Sequence, residues 1–182
     1  MSSQETKREP ADNSSAATSP EDFTKRAIEL GALGARVVSP ADIVTNSWVR
    51  WKCRFGCGGY ATSRMCPPHA PSPDETRKLL DEYSVGILFE APHGEATRIA
   101  VELEREVFLA GYYKALGLGA GPCRLCESCS VDEPCRHPYE ARPAMEAAGI
   151  DVYATVRKHG FTIDVVRDHD DPQHYYAVVL VE

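Results

Sequence analysis

Four cysteines, Cys123, Cys126, Cys129 and Cys135, follow the spacing Cys-x2-Cys-x2-Cys-x5-Cys. Two-residue gaps let consecutive thiolates curl around one centre. Three such thiolates match three corners of a cubane, and a fourth arrives from farther along the chain. Pro122 and Pro138 stiffen the ends of this loop. The spacing predicts a 4Fe-4S cluster. Zinc is the alternative, although zinc sites more often pair two short Cys-x2-Cys knuckles across a longer loop. Unliganded thiols are the plain reading.

The other three cysteines form an earlier group, Cys53-x3-Cys57-x8-Cys66, followed by Pro67-Pro68-His69. Three thiolates would make a second cluster possible and leave one iron open. Water or a substrate atom could bind there, with the iron as Lewis acid. His69 would close that position if it served as a fourth ligand. Arg50, Lys52, Arg54 and Arg64 share this stretch, and residues 49–66 hold no carboxylate. In an acidic chain this local reversal favours an anionic occupant, with a solvated basic loop as the ordinary alternative. The spacing does not match the Cys-x3-Cys-x2-Cys of radical enzymes. Without metal, Cys57 and its neighbours would be redox-active thiols.

The weaker signals are mostly structural. His137 could donate to a cluster sulfur or simply cap the loop. His93 precedes a helix and reads as structural. His169 and His174, with Asp168, Asp170 and Asp171, have a metal-like composition but read better as a polar turn. Tyr112 and Tyr113 suit a core or an interface. No Gly-rich phosphate loop and no Ser-His-Asp spacing stands out.

These loops need elements to hold them. Residues 22–33 predict a first helix, with Phe23, Ala27, Leu30 and Gly34 near one face. Residues 35–38 and 47–52 are short strand candidates, and 53–73 has loop chemistry. Residues 74–83 predict a helix opened by Ser72 as cap and Pro73 at its first position. An apolar run at 85–90 predicts a buried strand. Residues 95–116 predict a long helix with Ile99, Leu103, Val107 and Ala110 as its core stripe. Gly117, Gly119 and Gly121 stop it. Residues 143–148 and 152–158 predict short helices. Residues 161–166 and 175–181 predict two strands, joined as a hairpin through Asp170, Asp171 and Pro172. The expected class is α/β or α+β: a mixed sheet flanked by helices, with two cysteine-rich metal-binding loops.

Composition sets the frame. The chain has 182 residues, of which 43% are apolar, enough for one domain with a real core. Residues 1–20 lack Leu, Ile, Val and aromatic side chains and predict a disordered tail, leaving 21–182 as a single cysteine-rich metal-binding domain. No apolar run approaches the roughly 18 residues of a membrane span. No secretory signal is expected, so the cytoplasm is the expected compartment. Seven cysteines, an odd number and clustered, point to metal or redox work rather than to a disulfide framework. A net charge of -7 disfavours nucleic acid as a partner.

Three segments carry a resemblance. They are Cys66-Pro67-Pro68-His69, Gly121-Pro122-Cys123-Arg124-Leu125-Cys126, and Cys135-Arg136-His137-Pro138 followed by Ala141-Arg142-Pro143-Ala144-Met145-Glu146. They resemble a prokaryotic family of predicted metal-binding proteins, a domain of unknown function, across roughly residues 23–181. The resemblance implies metal binding through these same cysteines and names no reaction.

Three functions follow as expectations. The first is a redox or electron-transfer protein whose acidic surface steers it to a basic redox partner protein. The second is an enzyme that binds a small anionic ligand at an open iron. The third is a zinc-stabilised interaction module.

Overall fold

The structure, a computed structural model, describes residues 19–168 and 170–182. Along the chain come α1 (Pro20–Glu29), β1 (Gly34–Val38), a 3-10 turn (Pro40–Asp42), α2 (Ser47–Gly56), α3 (Pro73–Leu80), β2 (Gly86–Ala91), α4 (Ala96–Leu109), β3 (Leu116–Leu118), α5 (Val152–Lys158) and β4 (Tyr175–Leu180). The strands make one sheet in the order β1-β2-β4-β3, and every neighbouring pair is antiparallel. The mixture of helices and sheet agrees with the expected class.

Period-two alternation sorts the sheet's side chains into two cores. Ile87, Phe89, Ala177 and Val179 meet Phe23 and Ala27 of α1 and Ile99, Leu103 and Val107 of α4. Leu88, Tyr176, Val178 and Leu180 meet Leu80 of α3, Val152 and Val156 of α5, and Met145 and Ile150. Burial on both faces explains why β4 is apolar without a break.

The cap of α3 stands where the sequence places it. The Ser72 hydroxyl accepts from the Glu75 N–H at 3.2 Å, and the Glu75 carboxylate accepts from the Ser72 N–H at 2.8 Å. Ser19 and Asp22 build the same box on α1. Thus the last two residues of the expected tail are the cap and first residue of a helix. The rest of that tail, residues 1–18, lies outside the described residues, as does His169.

Several expected elements are corrected. Residues 47–52 are not a strand but the front of α2. Burial there has helical spacing, with Val49 buried and Cys53 half-buried four positions on. Trp48, Trp51 and Phe55, at i, i+3 and i+7, share the outer face. Cys53 therefore sits on a helix, not in a loop. The long helix is also shorter than expected. Gly111, at φ +105°, ends α4, and residues 116–118 join the sheet as β3. Residues 143–148 form turns rather than a helix, because the Pro143 carbonyl and the Met145 N–H bond to Gly119 instead, at 2.9 Å each.

Residues 161–166 form no strand, and the expected hairpin is absent. Both edges of β4 are already paired, with β2 and β3. The carbonyls of Thr162, Ile163 and Asp164 accept instead from the side chains of Tyr176, Arg157 and Tyr153.

Gly119 is the closest approach in the framework of the second cysteine loop. A Cβ there would stand 2.9 Å from the Thr97 Cβ and 3.0 Å from its Cα on α4. Gly119→Ala should destabilise the protein by about 2 kcal/mol, because helix backbone cannot yield as a side-chain tip can. Urea melts check this. An unchanged midpoint would mean that α4 and this segment can slide apart freely. No helix among the described residues is long and apolar enough to cross a membrane.

Candidate metal centre

The second cysteine loop leaves the sheet after β3 and returns to pair with it. Gly119 and Ala144 form an isolated parallel bridge that closes its neck. Between these ends the chain has no regular ladder, so its shape needs other supports. One is Arg142. Its guanidinium grips the Glu104 carboxylate of α4 at 2.7 and 2.6 Å and also donates to the carbonyls of Pro138 and Ala141. The Glu104 pairing raises the Arg142 pKa further above its already high ordinary value, against the opposing effect of burial.

Inside this loop, Cys123, Cys126, Cys129 and Cys135 all line one cavity of about 30 Å³. All four are half-buried, and none is in a disulfide. The His137 N–H donates to the Cys135 sulfur at 3.4 Å. Backbone N–H groups aimed at sulfur stabilise thiolates and tune iron–sulfur centres. Ser63, Arg64 and Met65 line the same cavity, so the first cysteine segment forms part of its wall.

The first group is built differently. Cys53 lies within α2, Cys57 is its C-terminal cap and is exposed, and Cys66 follows a turn in which its N–H donates to the Ser63 carbonyl. The Gly59 N–H donates to the Cys57 sulfur at 3.4 Å. Arg50 fixes α2 by donating to the carbonyls of Ala70, Pro71 and Ala147.

The two groups act on each other electrostatically at Cys66. Burial first pushes its thiol pKa up. Cys57 and Cys53 of its own group then add to the rise, followed by Cys123 and Cys129 of the other. Cys53 is likewise raised by burial and by Cys57, against a lowering by Arg50. Arg64 ties the loops together mechanically, donating to the carbonyls of Val131 and Glu133 at 2.7 Å each.

The cations of the expected anion-binding stretch are placed as follows. Arg50 and Arg64 are engaged by backbone carbonyls. Lys52 lies over the Trp48 ring and Arg54 over the Phe55 ring, on the outer side of α2. His69 is exposed on the turn after Cys66. His137 places Nδ1 3.7 Å from the Glu140 carboxylate. His174 pairs with Glu90 at 2.7 Å, so its composition with nearby aspartates does not make a metal site. Tyr112 packs edge-on against Phe23, whereas Tyr113 is exposed. Among the described residues, no three His, Cys, Asp or Glu side chains gather around one point as a single metal ion requires.

A metal bound by the first group must displace protons, because metals take thiolates and both Cys53 and Cys66 are raised. Uptake there should strengthen as pH rises and weaken as it falls, with proton release on binding. Metal titrations in weak buffer at about pH 6.5 and about pH 8.5 test the sign. Uptake with no pH dependence would show that the thiolates already exist without metal.

A model of the family described as "Predicted metal-binding protein (DUF2284)" matches residues 36–181. The chain belongs to this family. The match agrees with the resemblance carried by the cysteine motifs and takes in all seven cysteines. No curated protein and no solved structure matches the chain. Membership makes it a predicted metal-binding protein of unknown function. For this DUF2284 chain, sequence reasoning found the thiols but missed the Arg142–Glu104 clamp and the Arg64 brace. Glu104 and Arg142 are 38 positions apart, and the only hint was that Arg142 falls inside a motif segment.

Proposed function

We propose that this chain is an iron–sulfur protein in which Cys123, Cys126, Cys129 and Cys135 hold a 4Fe-4S cluster, with a redox or electron-transfer role. One observation carries the reading. Four free, half-buried thiols with ferredoxin-like spacing line a single cavity. The donor set suits iron, and the His137 N–H already points at one of the sulfurs. When bound, a four-thiolate cluster supplies one-electron transfer without a vacant coordination position. The chain's own part is to hold the thiols, partly exclude water and keep the loop closed through Arg142 and Arg64. Zinc is the competing occupant.

The partner in this reading is an electron-carrier protein with an acidic face, because the local charge of α2 is positive although the whole chain carries a net charge of -7. The side of α2 next to Cys53 and Cys57 exposes Trp51 and Phe55, 65% and 69% accessible, flanked by Lys52 and Arg54. Exposed aromatics with cationic neighbours suit docking against carboxylates.

Iron, sulfide and zinc per chain, measured on anaerobically prepared protein, decide the main point. The expected result is iron and sulfide in equal amounts, about four of each for one cluster, with absorption near about 400 nm that reduction bleaches. Zinc without iron or sulfide would sink the reading. Added salt should slow electron exchange with an acidic carrier and leave iron content untouched, whereas salt-independent exchange would reject the α2 face.

A further inference from the structure

Beside the small four-cysteine cavity lies a far larger cleft of about 660 Å³. The first turns of α4 form one wall, and the chain entering the second cysteine loop forms the other. Cys123, Leu125 and Ala141 line both cavities, so they are a partition between them. The size falls in the range that cofactors and small ligands fill, and the lining is mostly apolar.

Its charges decide what would fit. Arg98 is engaged by Glu95 and Glu102, at 2.6 and 3.0 Å, and Arg142 by Glu104. The other carboxylate on the rim, Glu140, faces His137. Arg124 differs: among the described residues it has no hydrogen-bond or ion-pair partner. The one uncommitted guanidinium in the cleft is therefore next to Cys123. Elsewhere in the lining, the rings of His93 and Tyr175 stand 5.0 Å apart and offer an aromatic edge.

We propose that this cleft binds a small organic anion with an apolar body and a carboxylate or phosphate group, the anionic group being taken by Arg124. Guanidinium pairs with both groups through parallel N–H donors. The apolar body lies along Val101, Ala120 and Pro122. The ligand would then sit against the partition that carries Cys123. The inference rests on the metal reading in one respect, since a filled metal site fixes the loop on which Arg124 stands.

The test uses the metal-loaded full chain, with iron, zinc and sulfide measured on the same sample. Naphthyl phosphate, naphthoate and neutral naphthalenemethanol are titrated by fluorescence. At least one anion should bind about tenfold or more tighter than the neutral probe, as a hydrogen bond to a charged group implies. The arm that wins identifies phosphate or carboxylate. Arg124→Gln should abolish that preference and leave neutral binding unchanged. Val101→Glu, a half-buried position on the apolar wall, should weaken every probe. The proposal is overturned if no probe binds, or if anions and the neutral probe bind alike. It is also overturned if the preference survives Arg124→Gln, or is lost in Trp51→Ala on α2 instead. Zinc in place of iron, with the Arg124-dependent preference intact, would reject the iron reading and uphold this one.

Discussion

Cys126→Ser should remove most of the metal bound by the second cysteine loop and lower the melting temperature of what remains. The loop between the Gly119 and Ala144 bridge has turns and side-chain braces but no ladder of its own. Metal binding supplies folding free energy that such a segment lacks. Cys126 lines the cavity with the other three thiols. A serine hydroxyl at that corner is a poor substitute, because it does not ionise near neutral pH as a thiol can. The loss should be selective. The first group, held by α2 and the Arg50 staple, should keep whatever metal it binds. Metal analysis and thermal melts of wild type and variant, both metal-loaded, make the comparison. Unchanged metal content together with unchanged melting would remove Cys126 from the ligand set. A loss of metal from both groups would instead show that they form one mechanically coupled site, the coupling running through Arg64 and Cys66.

That last alternative could not be read from the sequence. Spacing relates Cys123 to Cys126 because neighbours in the chain must be neighbours in space. No spacing rule relates Cys66 to Cys129, which come within electrostatic reach only after the fold has formed. Local chemistry was legible wherever it was sufficient. Ser72-Pro73 announced α3, and the apolar run at 85–90 announced the buried strand β2. Where tertiary pairing decided the outcome, sequence patterns misled. Residues 161–166 have strand-like side chains, but β4 had no free edge to offer them. Residues 47–52 look strand-like because Trp48, Val49 and Trp51 crowd together. Only the burial of Val49 and the exposure of Trp51 reveal the helical period. The basic stretch is the same lesson in electrostatics. Composition gathered the cations into one stretch, but it could not show that Arg50 and Arg64 reach to carbonyl oxygens of distant turns.

Arg142→Met should cost about 2–3 kcal/mol of stability, somewhat less than the penalty for leaving a fully buried charge without its partner. The two side chains are only 16% and 14% exposed, and their contact is bidentate. Among the described residues, Glu104 would keep a single donor, the Gly117 N–H at 2.7 Å. The guanidinium's other bonds would vanish too, freeing the carbonyls of Pro138 and Ala141 at the far end of the cysteine loop. Loss of stability and loss of bound metal should therefore appear together. A double variant separates the causes. Adding Glu104→Gln to Arg142→Met removes the orphaned charge and keeps an acceptor for the Gly117 N–H, so much of the stability should return. The loop would still lack its clamp, and metal retention should stay impaired. Denaturant melts with metal analysis on all three variants distinguish these effects. If the double variant regained metal along with stability, the clamp would matter only as a charge to be neutralised. If Arg142→Met melted like wild type, the pair would be a surface feature with no part in holding the centre closed.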